Sequence, residues 1–539
     1  MKKHWKIKPF WTSLFVLLVI YSCNKPDFNK IAGGTLNTDL AAPIGYSTFG
    51  VYDVLASNDS NDLVVINPID GELALKYNGE IGSFDAKSVL SFPNHNETFH
   101  LNNSNLGLSN SIGFNGSVAS SNAEYVTFPM SSGIILNTVN VKSGTMAINV
   151  NTTLKHNITV NLTFLDTKIN NQPIQKVINL NYNGSTPVLN NTIIDLTGTI
   201  CDFTANGTGT NRLRLIVDAT VNGTGQSIIG NENFDIDVNF TDLDFTNATG
   251  YFGQQSVNAL KDTIELKIFN NASTGVFGLT NPKLNFKIDN SFGIPIELNI
   301  NNLKTINPVS NVTVNLNNSN LNNITINPSP GFGQKSTTTI TELDKNNTPG
   351  MNSIVSSTPK NLFYDVDIQT NPNGNTGPLN FIESTSKLTV FADLDLPLEG
   401  YAYGFQMKDT LPFGMSNSPE EIQSVLIRIN STNGFPISFS ANVSFLDSND
   451  VKLFDVFTSP ETVLKAAPVN SSGRVTKSVN KITDIEIPKS KINQLDNVKK
   501  IVVIGTAATT EPQLTNVKIY DNYKLTLKLG VKVVLKKDF

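Results

Sequence analysis

The chain alternates apolar and polar residues over many short stretches, a period of two that is typical of β-strands. The longest such stretch lies near the C-terminus, where every second position is apolar: Tyr523, Leu525, Leu527, Leu529, Val531, Val533 and Leu535. The positions between them include four lysines: Lys524, Lys528, Lys532 and Lys536. This pattern predicts a strand that closes a sheet over an apolar core. Its lysines would face water and discourage edge-to-edge association.

A pattern of strand, polar turn and strand occurs three times. The returning strand carries an isoleucine at a matching position in each copy, Ile158, Ile296 and Ile437, which lie 138 and 141 residues apart. Each turn opens at Asn or Asp, whose side chains bond the local backbone. Pro295 and Pro436 precede the returning strand in the last two copies. A further apolar strand follows each copy, at 213–217, 362–368 and 501–504.

This spacing predicts an all-β fold of three tandem β-sandwich units of immunoglobulin-like type, with no long helices. A hairpin precedes them, because Asp70-Gly71 suits a tight turn between the apolar stretches 63–66 and 73–77. The sequence-based division is a signal peptide at 1–22, a lipidated tether at 23–45, the N-terminal hairpin plus the first repeat at 46–225, the second repeat at 226–375, and the third repeat with the long C-terminal strand at 376–539.

The charge and the cysteine content limit the classes of function that the protein could have. The sequence has 40 Lys and Arg against 45 Asp and Glu, a formal net charge of −5. Residues 1–22 contain four of the lysines and no acid, so the remaining chain has a net charge of −9. A dispersed acidic charge argues against nucleic-acid binding. Besides Cys23 there is only Cys201, which has apolar neighbours; we expect it to be buried, with a reactive thiol as the alternative.

Residues that could carry catalysis are sparse. Beyond residue 22 the only histidines are His95, His100 and His156. On a strand, His95 and His100 would lie on opposite faces, which favours surface or turn histidines over a metal site. The sequence contains no HExxH, Gly-x-Ser-x-Gly, Walker or CxxC motif and no dinucleotide fingerprint. We therefore expect no catalytic residues, no metal, no cofactor and no enzymatic activity.

Two acidic clusters come closest to a binding site: Asp235, Asp237, Asn239, Asp242 and Asp244, and Asp365, Asp367, Asn371, Asn373 and Asn375. Calcium takes about six to eight oxygen ligands of this kind. Neither spacing matches an EF-hand or a calcium-binding β-helix repeat. We therefore expect these acidic residues on solvent-exposed faces of strands, with calcium binding as the alternative. Both tryptophans lie within residues 1–22, which leaves Tyr364, Tyr401, Tyr403 and Phe405 as candidate platforms for a sugar.

The N-terminus resembles a bacterial lipoprotein signal. Lys2, Lys3, Lys6 and Lys8 precede the apolar run Phe10–Ile20, which is too short to span a bilayer. Ile20-Tyr21-Ser22-Cys23 then resembles a lipobox, with Tyr21 bulkier than the usual residue. The resemblance implies cleavage before Cys23 and acylation of its thiol and new amino group. Several acyl chains would hold the protein stably on a membrane.

Several segments are similar to a large group of Bacteroidota lipoproteins with no established activity. They are the lipobox, Ala42-Pro43-Ile44-Gly45-Tyr46, the stretch Asp393–Ala402, Lys408-Asp409-Thr410 and Asn433-Gly434-Phe435-Pro436-Ile437. The resemblance implies lipid attachment to the outer membrane. Only one acid, Asp27, closely follows the lipid cysteine, so the periplasmic and cell-surface faces both stay open.

The expected function is a membrane-anchored, non-catalytic binding or scaffolding module that contacts an envelope protein. The alternative is a surface lipoprotein that captures a glycan or lipid for an outer-membrane transporter. A deep apolar groove or an aromatic-lined cleft would favour that alternative, whereas a hydrolase would require carboxylates that converge in one cleft.

Overall fold

The structure, a computed structural model, describes residues 35–51, 64–131, 133–266, 275–307, 311–356, 359–413 and 420–538. Cys23, the signal peptide and residues 23–34 of the predicted tether lie outside these ranges, so lipidation stays a prediction. The described chain is built of strands in several sheets. It has one short helix, α1 (Lys489–Ile492), and 3-10 turns at Ala86–Ser88, Ser319–Leu321, Met351–Ser353 and Leu495–Asn497. In these ranges no helix has the length and apolar character needed to cross a membrane.

The strands fall into an N-terminal set and three units. The N-terminal set is β1 (Thr35–Gly50), β2 (Val64–Ile66), β3 (Leu73–Asp85) and β4 (His95–Asn102). The first unit (117–252) contains β5 (Ser117–Thr127), β6 (Ile134–Thr152), β7 (Asn157–Ile169), β8 (Gln172–Leu180), β9 (Val188–Asp195), β10 (Ile200–Asp202), β11 (Arg212–Asn222) and β12 (Asn233–Phe252).

The second unit (256–397) contains β13 (Ser256–Glu265), β14 (Val276–Leu279), β15 (Lys283–Asn290), β16 (Ile296–Ile306), β17 (Thr313–Asn315), β18 (Ile324–Ile326), β19 (Ser336–Thr339), β20 (Asn361–Thr370), β21 (Asn380–Glu383) and β22 (Lys387–Pro397). The third unit (399–538) contains β23 (Glu399–Tyr403), β24 (Phe405–Pro412), β25 (Ile422–Asn433), β26 (Ile437–Leu446), β27 (Lys452–Asp455), β28 (Glu461–Leu464), β29 (Val479–Pro488), β30 (Lys500–Thr509), β31 (Val517–Lys518) and β32 (Lys524–Asp538).

The three units repeat one pairing scheme. One half of each unit has the strand order β5-β11-β7, β13-β20-β16 or β24-β30-β26, and the other half is built on the pair β6-β12, β15-β22 or β25-β32. The apolar strands predicted after each copy lie in β11, β20 and β30, and each pairs antiparallel with the returning strand. The prediction of an all-β fold with several sandwiches is confirmed.

The repeated turn carries the chain from one sheet to the other, and a buried side chain holds it. Asn290 accepts a hydrogen bond from the Phe292 N–H (2.9 Å) and donates to the Asn327 carbonyl (2.9 Å). Asn433 accepts from the Phe435 N–H (2.9 Å) and donates to the carbonyls of Ile437 and Lys465 (2.8 and 2.9 Å). The expected bonding of an asparagine to the turn backbone is therefore confirmed in two copies.

In the first copy a threonine takes this place. The Thr152 hydroxyl donates to the Asn233 carbonyl (2.7 Å) and accepts from the Leu154 N–H (3.1 Å). The neighbouring Asn151 is exposed. The sequence pattern therefore gave the right turn but the wrong anchoring residue in this copy.

The N-terminal strands join the units in reverse order. β1 pairs with β32 of the third unit, β3 with β22 of the second, and β4 with β12 of the first. The predicted hairpin exists, with Val64 opposite Leu75, but it belongs by pairing to the second unit. From Thr35 onward the predicted tether is paired strand. β32 lies between β1 and β25, so its lysines do not guard a sheet edge as expected.

Strand pairing also locates the limits of the sheets. β12 closes the first unit and β22 closes the second, so these sheets extend to Phe252 and Pro397, beyond the boundaries predicted at 225/226 and 375/376. The period of the repeat was readable in the sequence because the turns recur. The starting point of each unit was not, because it depends on which strands pair, and strand pairing is not visible in the sequence.

The units follow one another end to end. The turn of the second unit pairs with β21 at the bridge Gly293–Phe381, and β21 pairs with β12 of the first unit. The third unit meets the second through the pairing of β23 with β14, and it meets the N-terminal hairpin through the bridge Glu72–Tyr520. β1 begins at the far end of the third unit, where Thr35 lies opposite Asp538. β1, β3 and β4 together correspond to about 120 Å of strand at about 3.3 Å per residue.

Candidate functional site

The histidines do not form a metal site. His95 lies on the partly buried face of β4 beside Glu97 (3.2 Å), and His100 lies on the other face beside Asp235 (2.7 Å), so the expected opposite placement is confirmed. His156 is fully buried in the first unit's turn, with its ring 5.3 Å from that of Phe114. Burial lowers the pKa of His156. Within the described ranges no group of three or more His, Cys, Asp or Glu is placed to hold a metal ion.

The acidic clusters are bonded across strands. Asp235 contacts the His100 ring on β4 (2.7 Å) and also accepts from the Asn233 amide on its own strand (2.8 Å). Asp237 accepts from the Thr98 hydroxyl on β4 (2.7 Å). In the second unit the Asn301 amide donates to Asp367 (2.6 Å). The Asn371 amide donates to the Gly253 carbonyl (3.0 Å), away from the carboxylates. These side chains thus form a strand-face network rather than a cage of converging oxygens.

Cys201 is a buried part of the first unit's core, as expected. Its thiol lies 3.9 Å from the Thr167 hydroxyl, and burial raises its pKa to about 11. A small cavity beside it, of about 10 Å³, is lined mainly by phenylalanine and aliphatic side chains. A space of this size holds one water molecule at most.

The candidate aromatic platform is dispersed. Tyr364 is buried, and its hydroxyl donates to the Ile81 carbonyl (2.6 Å). Tyr401 and Tyr403 lie on one face of β23 with parallel rings 6.3 Å apart. The Tyr401 ring covers Gly278 on the opposite strand, where any Cβ would collide with it. These two tyrosines therefore cover the junction between the second and third units, whereas Phe405 packs against the core.

The far end of the first unit carries an apolar surface that the sequence analysis missed. We call it the distal tip and define it as the loops 103–116 and 223–232. Ser111 and Ile228 exchange two backbone hydrogen bonds (3.0 and 2.8 Å), which join the loops. Ile112 and Ile229 project from them, 97% and 67% exposed. The sequence signal that could have indicated this surface is the presence of isoleucines within stretches rich in Gly, Ser and Asn.

Polar contacts hold the distal tip in place. The Glu232 carboxylate accepts from the N–H groups of Ile229 and Gly230 (2.7 and 2.8 Å) and from the Asn103 amide (2.7 Å). Burial alone would raise the pKa of Glu232, but these donors hold it below its usual value. A Cβ on Gly223 would lie 2.4 Å from the Phe114 carbonyl oxygen, so only glycine lets the two loops close. The tip is thus an ordered surface.

Comparison with protein-family models and with curated proteins finds no match. Among solved structures the chain is similar to a protein from Parabacteroides distasonis described as secreted, with 15% identity and a TM-score of 0.28 over 53% of this chain and 89% of that one. It is also similar to a structure of infectious bursal disease virus, strain Gx, with 8% identity and a TM-score of 0.16 over 76% and 75% of the two chains. At these TM-scores the likenesses carry no conclusion about function.

Proposed function

We propose that this protein is a lipid-anchored, non-catalytic scaffold of the cell envelope that holds its first unit away from the membrane and acts through contacts with other proteins. One observation carries the proposal. The N-terminal strands join the third, second and first units in that order, so the chain enters the described fold at the end opposite the distal tip. An anchor at Cys23 would therefore attach the third unit to the membrane.

The arrangement of the polar residues supports a non-catalytic role. Carboxylates of both acidic clusters are engaged in hydrogen bonds across neighbouring strands. The Asp166 carboxylate likewise holds Arg214 (2.6 Å) within a sheet. Residues used in this way position strands, and rigid sheets that present ordered loops are typical of binding modules.

The resemblance to Bacteroidota lipoproteins supports placement on the outer membrane, with the periplasmic and cell-surface faces as alternatives. The glycan- or lipid-capturing alternative requires a groove. The cavity beside Cys201 is too small for such a ligand. The tyrosines that could have formed an aromatic platform are dispersed as well, and on these grounds we favour protein contacts over ligand capture.

Metabolic labelling with an alkyne-tagged palmitate tests the anchor. We expect the wild-type protein to carry the label and Cys23→Ala to lose it. Cys201→Ala is the matched control, and it should keep the label because Cys201 is buried in the core. An unlabelled wild-type protein, or a Cys23→Ala variant that labels normally, would overturn the lipid-anchor part of the proposal.

A further inference from the structure

The interior of the third unit is more exposed than that of the other two. In the first and second units the inward residues of the closing strand, such as Ile236 and Val390, are fully buried. In β32 the corresponding residues Leu527, Leu529 and Val531 are only half-buried. Burial of leucine and valine side chains stabilises the folded state. Complete burial of these half-buried side chains would therefore stabilise the third unit further.

The exposure coincides with weak contact between β1 and β24 along one side of the sandwich, which we call the open seam. In the first unit β4 packs against β5, and in the second unit β3 packs against β13. In the third unit β1 and β24 hold the corresponding places, and among the described residues their contact is weaker than in either of the other two units. Leu40 on β1 consequently stays 57% exposed, whereas Leu73 on β3 and Leu101 on β4 are buried.

The backbone beside the seam is also open. In the second unit β2 pairs along the outer edge of β3, with Val64 opposite Leu75. Along the outer edge of β1, no strand pairs between Asn37 and Tyr46 in the part of the chain that the structure describes. An apolar seam beside a free strand edge fits an added β-strand, which supplies backbone hydrogen bonds and alternating apolar side chains together.

We propose that the open seam of the third unit, at the outer edge of β1 around Leu40, binds an extended segment of another envelope polypeptide with alternating apolar residues. The inference rests on the proposed function and names the partner's chemistry. Thr35 follows Cys23 by 12 positions, which reach about 40 Å at most. The seam is therefore held near the membrane, within reach of a membrane protein.

The orientation of the anchor favours this occupant over the others. A second copy paired antiparallel through β1 would direct its first and second units toward the membrane that anchors it. A lipid acyl chain would cover apolar surface but leave the strand edge without hydrogen bonds. A strand from a different chain would satisfy both the seam and the edge.

The test measures binding of a defined peptide to the full acylated protein in phosphatidylcholine nanodiscs. The probe is a fluorescent nine-residue peptide of alternating valine and threonine with a lysine at each end, followed by anisotropy. We expect saturable binding that Leu40→Asp weakens at least tenfold. Val177→Asp changes an equally exposed apolar residue, 58% exposed, in the first unit and should change binding less than twofold.

A second peptide, N-methylated at alternate residues, lacks the N–H donors of one edge and should bind at least tenfold more weakly than the first. Absence of peptide binding, equal binding to Leu40→Asp, or equal binding of the methylated peptide would overturn the proposal. The last result would indicate apolar adsorption instead. None of these results would affect the palmitate labelling of Cys23, so failure of this site and failure of the anchor are distinguishable.

Discussion

Replacing the buried asparagine of the third unit's turn tests how the repeat is held together. Asn433 is 1% exposed and makes three hydrogen bonds to the backbone, at 2.8 to 2.9 Å. Asn433→Ala would leave two carbonyl oxygens and one N–H buried without these partners. At about 1 kcal/mol for each bond, the local free energy of opening should fall by about 3 kcal/mol. That corresponds to exchange faster by on the order of 100-fold.

Hydrogen–deuterium exchange with mass spectrometry provides the readout, because it resolves the three units separately. We expect faster exchange in peptides covering 425–445 and no change in the first unit, whose turn is held by Thr152. Asn449→Ala is the control, since Asn449 is an exposed asparagine in a loop of the same unit. Equal exchange in the two variants, or an effect spread evenly over the whole chain, would refute the assigned role of Asn433.

Three further predictions concern other parts of the molecule. Burial lowers the pKa of His156 in the folded protein. Below pH 6.5, the ordinary pKa of histidine, the unfolded chain therefore binds a proton at His156 more readily than the folded chain does, and the free energy of unfolding should fall as the pH drops. Urea titrations at several pH values measure this fall, and His156→Gln should flatten it. A slope unchanged by His156→Gln would contradict this. The Cys201 thiol, with its pKa raised to about 11, should react with a maleimide only after denaturation, and labelling of the folded protein would show that it is accessible. Lys518 lies 2.8 Å from Glu72 and 3.4 Å from Glu399, so Lys518→Met should destabilise the junction of the second and third units by about 1–2 kcal/mol, measured by exchange in 517–525. Adding Glu72→Gln should restore part of this loss, and a further loss would argue against a charge effect.

Much of the fold could be predicted because it depends on local patterns. The alternation from Tyr523 to Leu535 marks β32, and Asp70-Gly71 marks the turn between β2 and β3. The turns at Asn290 and Asn433 recur because the same side-chain hydrogen bonds are needed in each copy. Residues close in sequence carry all three signals.

The pairing partners of the N-terminal strands could not be predicted. β1 lies opposite β32, almost the whole chain away, and alternation in β1 says nothing about which unit it joins. Thr35–Gly50 also contains Pro43 and Gly45, residues that are uncommon within strands. The exposed Ile112 and Ile229 could not be assigned to one surface for a related reason, because only the folded chain joins their two loops.

The distance of each end of the protein from the membrane tests the account most directly. Val451 lies in an exposed loop at the end of the third unit where β1 begins, and Ile112 lies at the distal tip. Val451→Cys and Ile112→Cys would each be labelled with a donor fluorophore in the acylated protein, on vesicles that contain a headgroup acceptor. We expect strong energy transfer from position 451 and little from position 112, which lies about 100 Å farther along the strands. Equal transfer from both positions, or stronger transfer from position 112, would contradict an anchored scaffold that holds its first unit away from the membrane.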